Sequence, residues 1–194
     1  MGKIRLGFAM CGSFCTFQKV LFEMQNLVKE GYDVFPILSE TAYSTDTRFG
    51  KAVDFQKQIE EMTGHPIVHT IFGAEPIGPK KLLDVLLLAP TTGNTLGKLA
   101  NGITDSAVTL AFKAHLRNER PVVLAVSTND ALSASAKNIG TLLNTRHVFF
   151  VPMRQDAPKS KPRSVVADFG KISESVKAAL MGQQVQPIFC TPNS

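Results

Sequence analysis

The clearest structural signal in the chain is a strand-turn-helix segment, Val85-Leu86-Leu87-Leu88 followed by Ala89-Pro-Thr-Thr-Gly-Asn-Thr-Leu-Gly-Lys-Leu-Ala-Asn-Gly-Ile-Thr-Asp105. Its first four residues form an apolar run that is too short for a helix and is typical of a buried parallel strand. The strand is predicted to break at Pro90, and a helical pattern of apolar residues begins at Leu96. In an α/β protein, the N–H groups and hydroxyls of such a turn commonly bind an anion or a polar ligand.

The polar residues of this turn have a second possible role, which is to cap the following helix. Asn94 or Thr95 would then be the N-cap, and Gly102 would end the helix. A cap uses one polar side chain, whereas the turn offers a polar run from Thr91 to Asn94. The sequence therefore favours a ligand site at this turn.

Length and composition indicate one soluble domain. The chain has 194 residues, of which 44% are hydrophobic and 19% are charged. It contains no apolar run near the ~20 residues of a membrane span. Three cysteines without a CxxC pair and four scattered histidines match neither a disulfide framework nor a metal site. Because its start also lacks the pattern of a signal peptide, the chain is expected in a reducing cytoplasm and without a metal.

The net charge of +5 raises the question of a nucleic-acid partner. The basic residues are spread along the chain, and two tyrosines with no tryptophan offer little surface for stacking on bases. A protein that binds phosphate and carboxylate ligands would carry the same positive excess. Nucleic acid is therefore not expected as a partner.

Apolar segments of strand length alternate with segments of helical period. The predicted strands cover residues 4–10, 34–38, 67–68, 85–88, 121–126 and 148–151. The predicted helices cover residues 16–30, 55–64, 96–103, 106–118, 131–144 and 169–181. This alternation predicts a single-domain, doubly wound, mostly parallel sheet of the Rossmann-like or flavodoxin-like type. The predicted domain covers residues 1–182, and residues 183–194 form a polar C-terminal tail.

Four polar turns follow predicted strands, at the sheet edge where ligands of such folds bind. The turns are Cys11-Gly12-Ser13, Ser39-Glu40-Thr41, Thr91-Thr92-Gly93-Asn94 and Ser127-Thr128-Asn129. Four such turns are more than helix capping requires, which favours a phosphorylated ligand with several rings. The first turn contains no GxGxxG, and Phe14 stands where a P-loop needs its lysine. A mononucleotide therefore fits better than a dinucleotide.

Gly12-Ser13, Ser39 and the segment from Ala89 to Asp105 resemble the flavoprotein family of flavin-containing cysteine decarboxylases and flavin prenyltransferases. The segment is similar to the family's Ala-Pro-Ala-Thr-Ala-Asn-Thr pattern. The resemblance implies FMN, with its phosphate near the Gly12 and Ser39 turns and its ring system near Thr91, Thr92 and Asn94. Together with the four turns it gives the candidate cofactor-binding residues Gly12, Ser13, Ser39, Thr41, Pro90, Thr91, Thr92, Gly93, Asn94, Ser127 and Asn129.

Within the family, the chain is similar to a subunit of an NADP-dependent oxidoreductase that acts on a ring dicarboxylate. This likeness is carried by Phe150-Val-Pro-Met-Arg-Gln-Asp-Ala-Pro-Lys-Ser-Lys-Pro-Arg-Ser-Val-Val-Ala-Asp168. It implies a partner A subunit with the nicotinamide site, and a homo-oligomer that is a trimer or dodecamer. An apolar stripe from Leu110 to Ala114 belongs either to the subunit contact or to the core.

The basic loop within the same segment is the candidate site for substrate carboxylates. Cations and hydrogen-bond donors bind carboxylates, so the candidate substrate-binding residues are Thr128, Arg154 and Arg163. Lys159 and Lys161 add positive charge to this loop. The other interpretation of these residues is a solvated surface loop.

The chain departs from the family's enzymatic motifs in three respects. The decarboxylases carry Pro-x-Met-Asn after the fifth strand, where this chain has Val126-Ser127-Thr128-Asn129. They also carry a histidine soon after the second strand, and this chain has none between Ser39 and Gly64. The Arg-Glu pair of the prenyltransferases is absent as well, and no catalytic acid or base is evident. Three functions compete: an oxidoreductase subunit, an FMN-dependent decarboxylase or prenyltransferase, and a non-catalytic flavin-binding assembly subunit.

Overall fold

Five parallel strands form the centre of the molecule. In the computed structural model, which describes residues 2–191, they are β1 (Arg5–Met10), β2 (Asp33–Leu38), β3 (Val85–Thr91), β4 (Val122–Thr128) and β5 (Val148–Phe150). Their order across the sheet is β2-β1-β3-β4-β5, and each neighbouring pair is parallel. All seven residues of β3 are buried, as expected for an apolar strand covered on both faces.

Helices cover both faces of this sheet. They are α1 (Phe17–Lys29), α2 (Glu40–Ser44), α3 (Ala52–Thr63), α4 (Ile71–Ala74), α5 (Gly93–Ala100), α6 (Ala107–Leu116), α7 (Ala136–Leu143) and α8 (Ile172–Leu180). The apolar stripes of α1, α3 and α8 pack into one core, and those of α5, α6 and α7 pack into a second core. The chain is thus a single α/β domain with a doubly wound, mostly parallel sheet, which confirms the predicted fold class.

The strand order reverses at β1, because the chain runs outward from β1 to β2 and then returns to the other side of β1 at β3. In doubly wound sheets with this order, ligands bind at the reversal, outside the carboxyl ends of the strands. The ends of β1 and β3 are therefore where a site is expected.

Two short strands continue the sheet from the end of β4. They are β6 (Met153–Arg154) and β7 (Val165–Ala167), which pair with each other in antiparallel orientation. β7 also pairs antiparallel with the end of β4, at Ser127 and Thr128, just beyond the residues that pair with β5. The prediction that residues 148–151 form the last strand is wrong, because strands of two and three residues are too short to show an alternating pattern.

Other boundaries also differ from the sequence prediction. β3 continues through Pro90, because the Pro90 carbonyl accepts a hydrogen bond from the Cys11 N–H at 3.2 Å and so keeps the chain attached to the end of β1. The peptide bond before Pro90 is cis. The N-cap of α5 is Thr92, not Asn94 or Thr95. Residues 67–68 contribute a single bridge to β2 in place of a strand, and residues 131–135 form turns before α7.

The first part of the predicted C-terminal tail is attached to the sheet edge. The Gln184 side chain accepts from the Phe150 N–H and donates to the Phe150 carbonyl, both at 2.7 Å. Further on, the Met153 N–H donates to the Ile188 carbonyl at 2.8 Å. Residues 192–194 of the predicted tail lie outside the described residues. Within residues 2–191, no helix has the length and apolar character needed to cross a membrane.

Candidate functional site

The carboxyl ends of β1, β2 and β3 meet at one cavity of about 440 Å³. Gly12 follows β1, Ser39 follows β2, and Thr92 follows β3, so the cavity lies at the reversal of strand order. Its volume is within the roughly 300–1,000 Å³ range of small-molecule sites. The lining residues are Cys11, Gly12, Ser39, Glu40, Thr41, Thr92, Asn94, Thr95, Lys98, Asp105, Ser106 and Thr109.

Three helices begin at this cavity, and each carries a hydroxyl N-cap. In each first turn a backbone N–H donates to the cap at 3.2–3.3 Å: Ala42 to Ser39, Thr95 to Thr92 and Thr109 to Ser106. A cap satisfies one of the four N–H groups that a helix start leaves without an intrahelical partner. The remaining N–H groups at the starts of α5 and α6 are suited to an anion such as phosphate, which the helix dipoles also favour.

The charged side chains that line the cavity are Lys98, Glu40 and Asp105. Lys98 Nζ donates to Asp105 Oδ2 at 2.7 Å, and this hydrogen bond lowers the pKa of the Asp105 carboxyl. The lining therefore has no excess of positive charge, and a phosphate there would depend mainly on N–H groups and hydroxyls. Among residues 2–191, no cluster of His, Cys, Asp and Glu is arranged to hold a metal ion.

Cys11 forms part of the cavity wall but is only 1% exposed. Burial raises the pKa of its thiol to about 11, although a hydrogen bond from Thr95 Oγ1 to the sulfur (3.2 Å) acts in the opposite direction. At neutral pH the side chain is thus a neutral thiol. Such a cysteine packs as a small apolar group and is a poor nucleophile.

The structure gathers several of the predicted cofactor residues at this cavity. Those that line it are Gly12, Ser39, Thr41, Thr92 and Asn94. Ser13 follows Gly12, and its hydroxyl oxygen lies 3.0 Å from that of Ser127 at the end of β4. The Ser13–Ser127 hydrogen bond brings the turn after β4 next to the turn after β1.

Two predicted cofactor residues use their polar atoms within the fold. Thr91 is completely buried, and its hydroxyl donates to the Leu88 carbonyl at 2.8 Å. The Pro90 carbonyl accepts from the Cys11 N–H. A ligand would meet these two residues by packing, since their polar groups already have partners.

Seven lining residues were not predicted as ligand contacts: Cys11, Glu40, Thr95, Lys98, Asp105, Ser106 and Thr109. The sequence could have indicated Ser106 and Thr109, because two hydroxyl residues three positions apart at the start of an apolar helix are typical of a capping box. Lys98 and Asp105 gave no such signal, since their contact depends on how the chain bends between α5 and α6.

The turn after β4 holds a carboxylate against the start of α5. Thr128 Oγ1 donates to Asp130 Oδ1 at 2.5 Å, and Ser135 Oγ lies 2.9 and 3.0 Å from the two Asp130 oxygens. A Cβ atom added to Gly93 would lie 2.6–2.7 Å from oxygens of all three residues. Only glycine fits at the first residue of α5.

The residues predicted to bind substrate carboxylates lie beside β7, which pairs with Thr128 on one side and with Arg154 on the other. Arg154 and Lys19 line a second cavity, of about 460 Å³, and Arg154 Nη1 lies 3.8 Å from Asp168 Oδ2. Arg163 is exposed on the loop between β6 and β7, and its carbonyl accepts the Leu132 N–H at 3.0 Å. This loop is therefore attached to the turn after β4.

The strand order and the hydroxyl-lined cavity at its reversal define a flavodoxin-like α/β protein. A sequence model of the Flavoprotein family matches residues 1–181, and the chain belongs to this family. The chain is 46% identical over 184 residues to the B subunit of dipicolinate synthase from Bacillus subtilis (strain 168), and the match covers 95% of this chain and 92% of the relative.

Solved structures of similar fold include another B subunit of dipicolinate synthase and a cysteine decarboxylase. The crystal structure of the B subunit of dipicolinate synthase from Bacillus halodurans superposes with a TM-score of 0.89 and 43% sequence identity, over 98% of each chain. The FMN-dependent cysteine decarboxylase SpaF has a TM-score of 0.67 and 22% identity, over 93% of this chain and 98% of that chain. At that identity the likeness to SpaF establishes the shared fold alone.

Proposed function

We propose that this chain binds FMN non-covalently in the 440 Å³ cavity and acts as the flavin-binding B subunit of a dipicolinate synthase. The observation that carries the proposal is the convergence of hydroxyl-rich turns from three strands at the reversal of strand order. FMN, when bound, supplies reversible two-electron chemistry. The family, and the relatives that bear the name of this B subunit, support the assignment.

The lining residues suit the two ends of such a cofactor. We assign the phosphate to Gly12, Ser39 and Thr41, where two hydroxyls line the cavity that the starts of α5 and α6 also border. We assign the ring system to Thr92 and Asn94, where an exposed amide can both donate and accept hydrogen bonds. The chain's own part is to bind and orient the flavin.

The reaction proposed for the complete enzyme is oxidation of dihydrodipicolinate to dipicolinate, pyridine-2,6-dicarboxylate. The ring loses a hydride, which NADP⁺ accepts, and a proton, which passes to solvent. We assign the NADP site to a partner A subunit, since the first turn here lacks the dinucleotide fingerprint. The expected setting is the mother-cell cytoplasm of a sporulating bacterium, where dipicolinate serves endospore formation.

A ring with two carboxylates needs cations or hydrogen-bond donors at both of its ends. Arg154 and Lys19 line one cavity, which Thr16 also lines, while Gly12 lines the cofactor cavity. The short turn from Gly12 to Thr16 thus borders both cavities. We propose that Arg154 binds a substrate carboxylate beside the flavin and that Arg163 binds substrate from the neighbouring loop.

The first test is a titration of the purified chain with FMN, followed by quenching of flavin fluorescence. We expect saturable binding, weakened in Asn94→Ala by about 1–3 kcal/mol because a desolvated polar group of the ligand loses its partner. Asn101→Ala, at the other end of α5, should bind as the wild type does. Absence of quenching in the wild type would rule out the flavin site.

The second test is reconstitution of the reaction. We expect no turnover from this chain alone, and near-ultraviolet absorbance of dipicolinate when the A subunit, NADP and the lysine-pathway precursor are added. Decarboxylation of a cysteine peptide by this chain alone would instead identify a decarboxylase. Full activity of the A subunit without this chain would leave it at most a structural role.

An Arg154 variant tests whether the 460 Å³ cavity takes part in substrate binding. Arg154→Ala should raise KM more than it lowers kcat if Arg154 binds substrate and transition state equally. Arg146→Ala is the matched control, because the Arg146 side chain is mostly exposed and lines neither cavity. Equal kinetics of Arg154→Ala and wild type would remove Arg154 from the substrate site.

A further inference from the structure

The turn after β4 and the start of α5 are held together by a carboxylate that no sequence motif indicated. Asp130 Oδ1 accepts the Thr128 hydroxyl at 2.5 Å and lies 2.9 Å from Ser135 Oγ. The same oxygen would lie 2.6 Å from a Cβ at Gly93, so the carboxylate is pressed against the backbone of the first residue of α5. The contact joins two turns that are 37 residues apart in the chain, from Gly93 to Asp130.

The charge of Asp130 is balanced by dipoles and not by a cation. The ion pairs found among residues 2–191 do not include Asp130. Its oxygens instead receive hydroxyl protons and lie at the start of α5, where the helix dipole favours negative charge. An amide at this position would keep the shape but lose that electrostatic attraction.

The direction of the Thr128–Asp130 hydrogen bond also determines whether the Thr128 hydroxyl can donate to or accept from a ligand. An ionised carboxylate only accepts hydrogen bonds, and a threonine hydroxyl has one proton. Because Thr128 gives this proton to Asp130, its oxygen can only accept from a further partner. It is therefore suited to an N–H or O–H group of a ligand and unsuited to a ligand carboxylate.

We infer that Asp130 is a positioning residue for the ligand site. It locks the Thr92–Asn94 turn, which lines the cavity, against the Thr128 turn, and it presents Thr128 as a hydrogen-bond acceptor. The first part concerns the protein alone. The second part rests on the proposed FMN function, because it needs a flavin or substrate group to meet Thr128.

The first part is tested without any ligand, by hydrogen exchange of the wild-type and variant chains. In Asp130→Asn, the amides of Thr95 and Leu96, which donate hydrogen bonds to Thr92, should exchange about tenfold faster, since a charge-assisted contact that closes this turn is weakened. Ser135→Ala, a milder change, should increase exchange in the same peptide to a smaller extent. Glu61→Gln, the same chemical change on the exposed face of α3, should leave it as in the wild type.

The second part is tested by FMN titration in a double-mutant cycle. Asp130→Asn and Thr128→Val should each weaken FMN binding about tenfold. The double variant should bind FMN no more weakly than Thr128→Val alone, because Asp130 acts through Thr128. Thr128→Ser keeps the hydroxyl and should restore binding. The absorption band of bound flavin should shift in Asp130→Asn but not in Glu61→Gln.

The outcomes separate this inference from the proposed function. Unchanged exchange at Thr95 and Leu96 in both Asp130→Asn and Ser135→Ala overturns the positioning role. Additive losses in the cycle overturn its action through Thr128. A wild-type chain that binds no FMN, while Asp130→Asn still speeds exchange of the turn, removes the proposed function and leaves the positioning role in place.

Discussion

Two glycines in α5, Gly93 and Gly97, lie four residues apart on one helix and meet different surroundings. A Cβ at Gly93 would come within 2.6–2.7 Å of three side-chain oxygens, whereas a Cβ at Gly97 would come no closer than 3.5 Å, to Asn138. In a helix, alanine is more favourable than glycine by roughly 0.5–1 kcal/mol when space allows it. The space around the added Cβ therefore decides whether a Gly→Ala substitution destabilises or stabilises the protein at each of these two positions.

We expect Gly93→Ala to lower the free energy of unfolding by about 1–3 kcal/mol, the usual effect of overpacking a site that cannot relax. Gly97→Ala should leave that free energy unchanged or raise it slightly. Urea unfolding of both variants measures the difference, and FMN titration should find weaker binding only in Gly93→Ala. Equal stability of the two variants would contradict the close approach of Asp130 to α5.

Helix α6 buries a titratable group against the sheet. His115 is 1% exposed, and its Nε2 lies 3.1 Å from the Pro121 carbonyl. Burial lowers the pKa of His115 to about 4 in the folded chain, from an ordinary value near 6.5. The unfolded chain therefore binds a proton between about pH 6.5 and pH 4 that the folded chain does not, so stability falls as the pH falls through this window.

The expected loss from His115 is about 3 kcal/mol once the pH is below 4, and almost none above pH 7. His115→Gln keeps a side-chain N–H for the Pro121 carbonyl but does not titrate. Its free energy of unfolding, measured in urea from pH 7.5 to 4.5, should fall less steeply than that of the wild type. Identical slopes would show that His115 does not drive the acid sensitivity.

Local sequence predicted the elements whose signals are local. The apolar run before Pro90 and the glycine at position 64 that ends α3 each act within a few residues of themselves. The strand-end rule then predicted that four polar turns lie together. The Gly12, Ser39 and Thr92 turns line one cavity, and the Ser127 turn contacts the first of them through Ser13 without lining the cavity.

The remaining features depend on distant parts of the chain. β6 and β7 exist because β4 is longer than β5 and leaves Ser127 and Thr128 free to pair. Asp130 contacts Gly93, and Lys19 lines the same cavity as Arg154. Both arrangements bring together residues that are far apart in sequence. No periodicity or spacing reports such contacts, so nothing in the sequence indicated that Lys19 and Arg154 line one cavity.

The surface of the whole molecule bears on its assembly. The stripe considered for a subunit contact is mostly core, since Phe112 and Ala114 are 6% and 4% exposed. In contrast, Phe72 on α4 is 85% exposed and its neighbour Ile71 is 50% exposed. Adjacent exposed apolar side chains of this size commonly mark a protein contact.

This apolar surface borders the proposed cofactor site. Ile71 lines a cavity that shares Glu40, Asp105 and Ser106 with the cofactor cavity. A second copy of the chain docked at α4 would thus cover one side of the cofactor cavity and reduce its exposure to water. We therefore expect assembly and flavin binding to favour each other, because a ligand that binds the associated form better also stabilises it.

Light scattering should accordingly return a multiple of the 21.1 kDa chain mass, with a trimer or dodecamer as the proposed assembly. Phe72→Ser should shift the protein to smaller species and weaken FMN binding, because burial of this aromatic ring no longer favours association. Phe49→Ser, which changes a less exposed phenylalanine outside both cavities, should keep the wild-type mass. A 21.1 kDa monomer that binds FMN fully would contradict the coupling of assembly to the cofactor site.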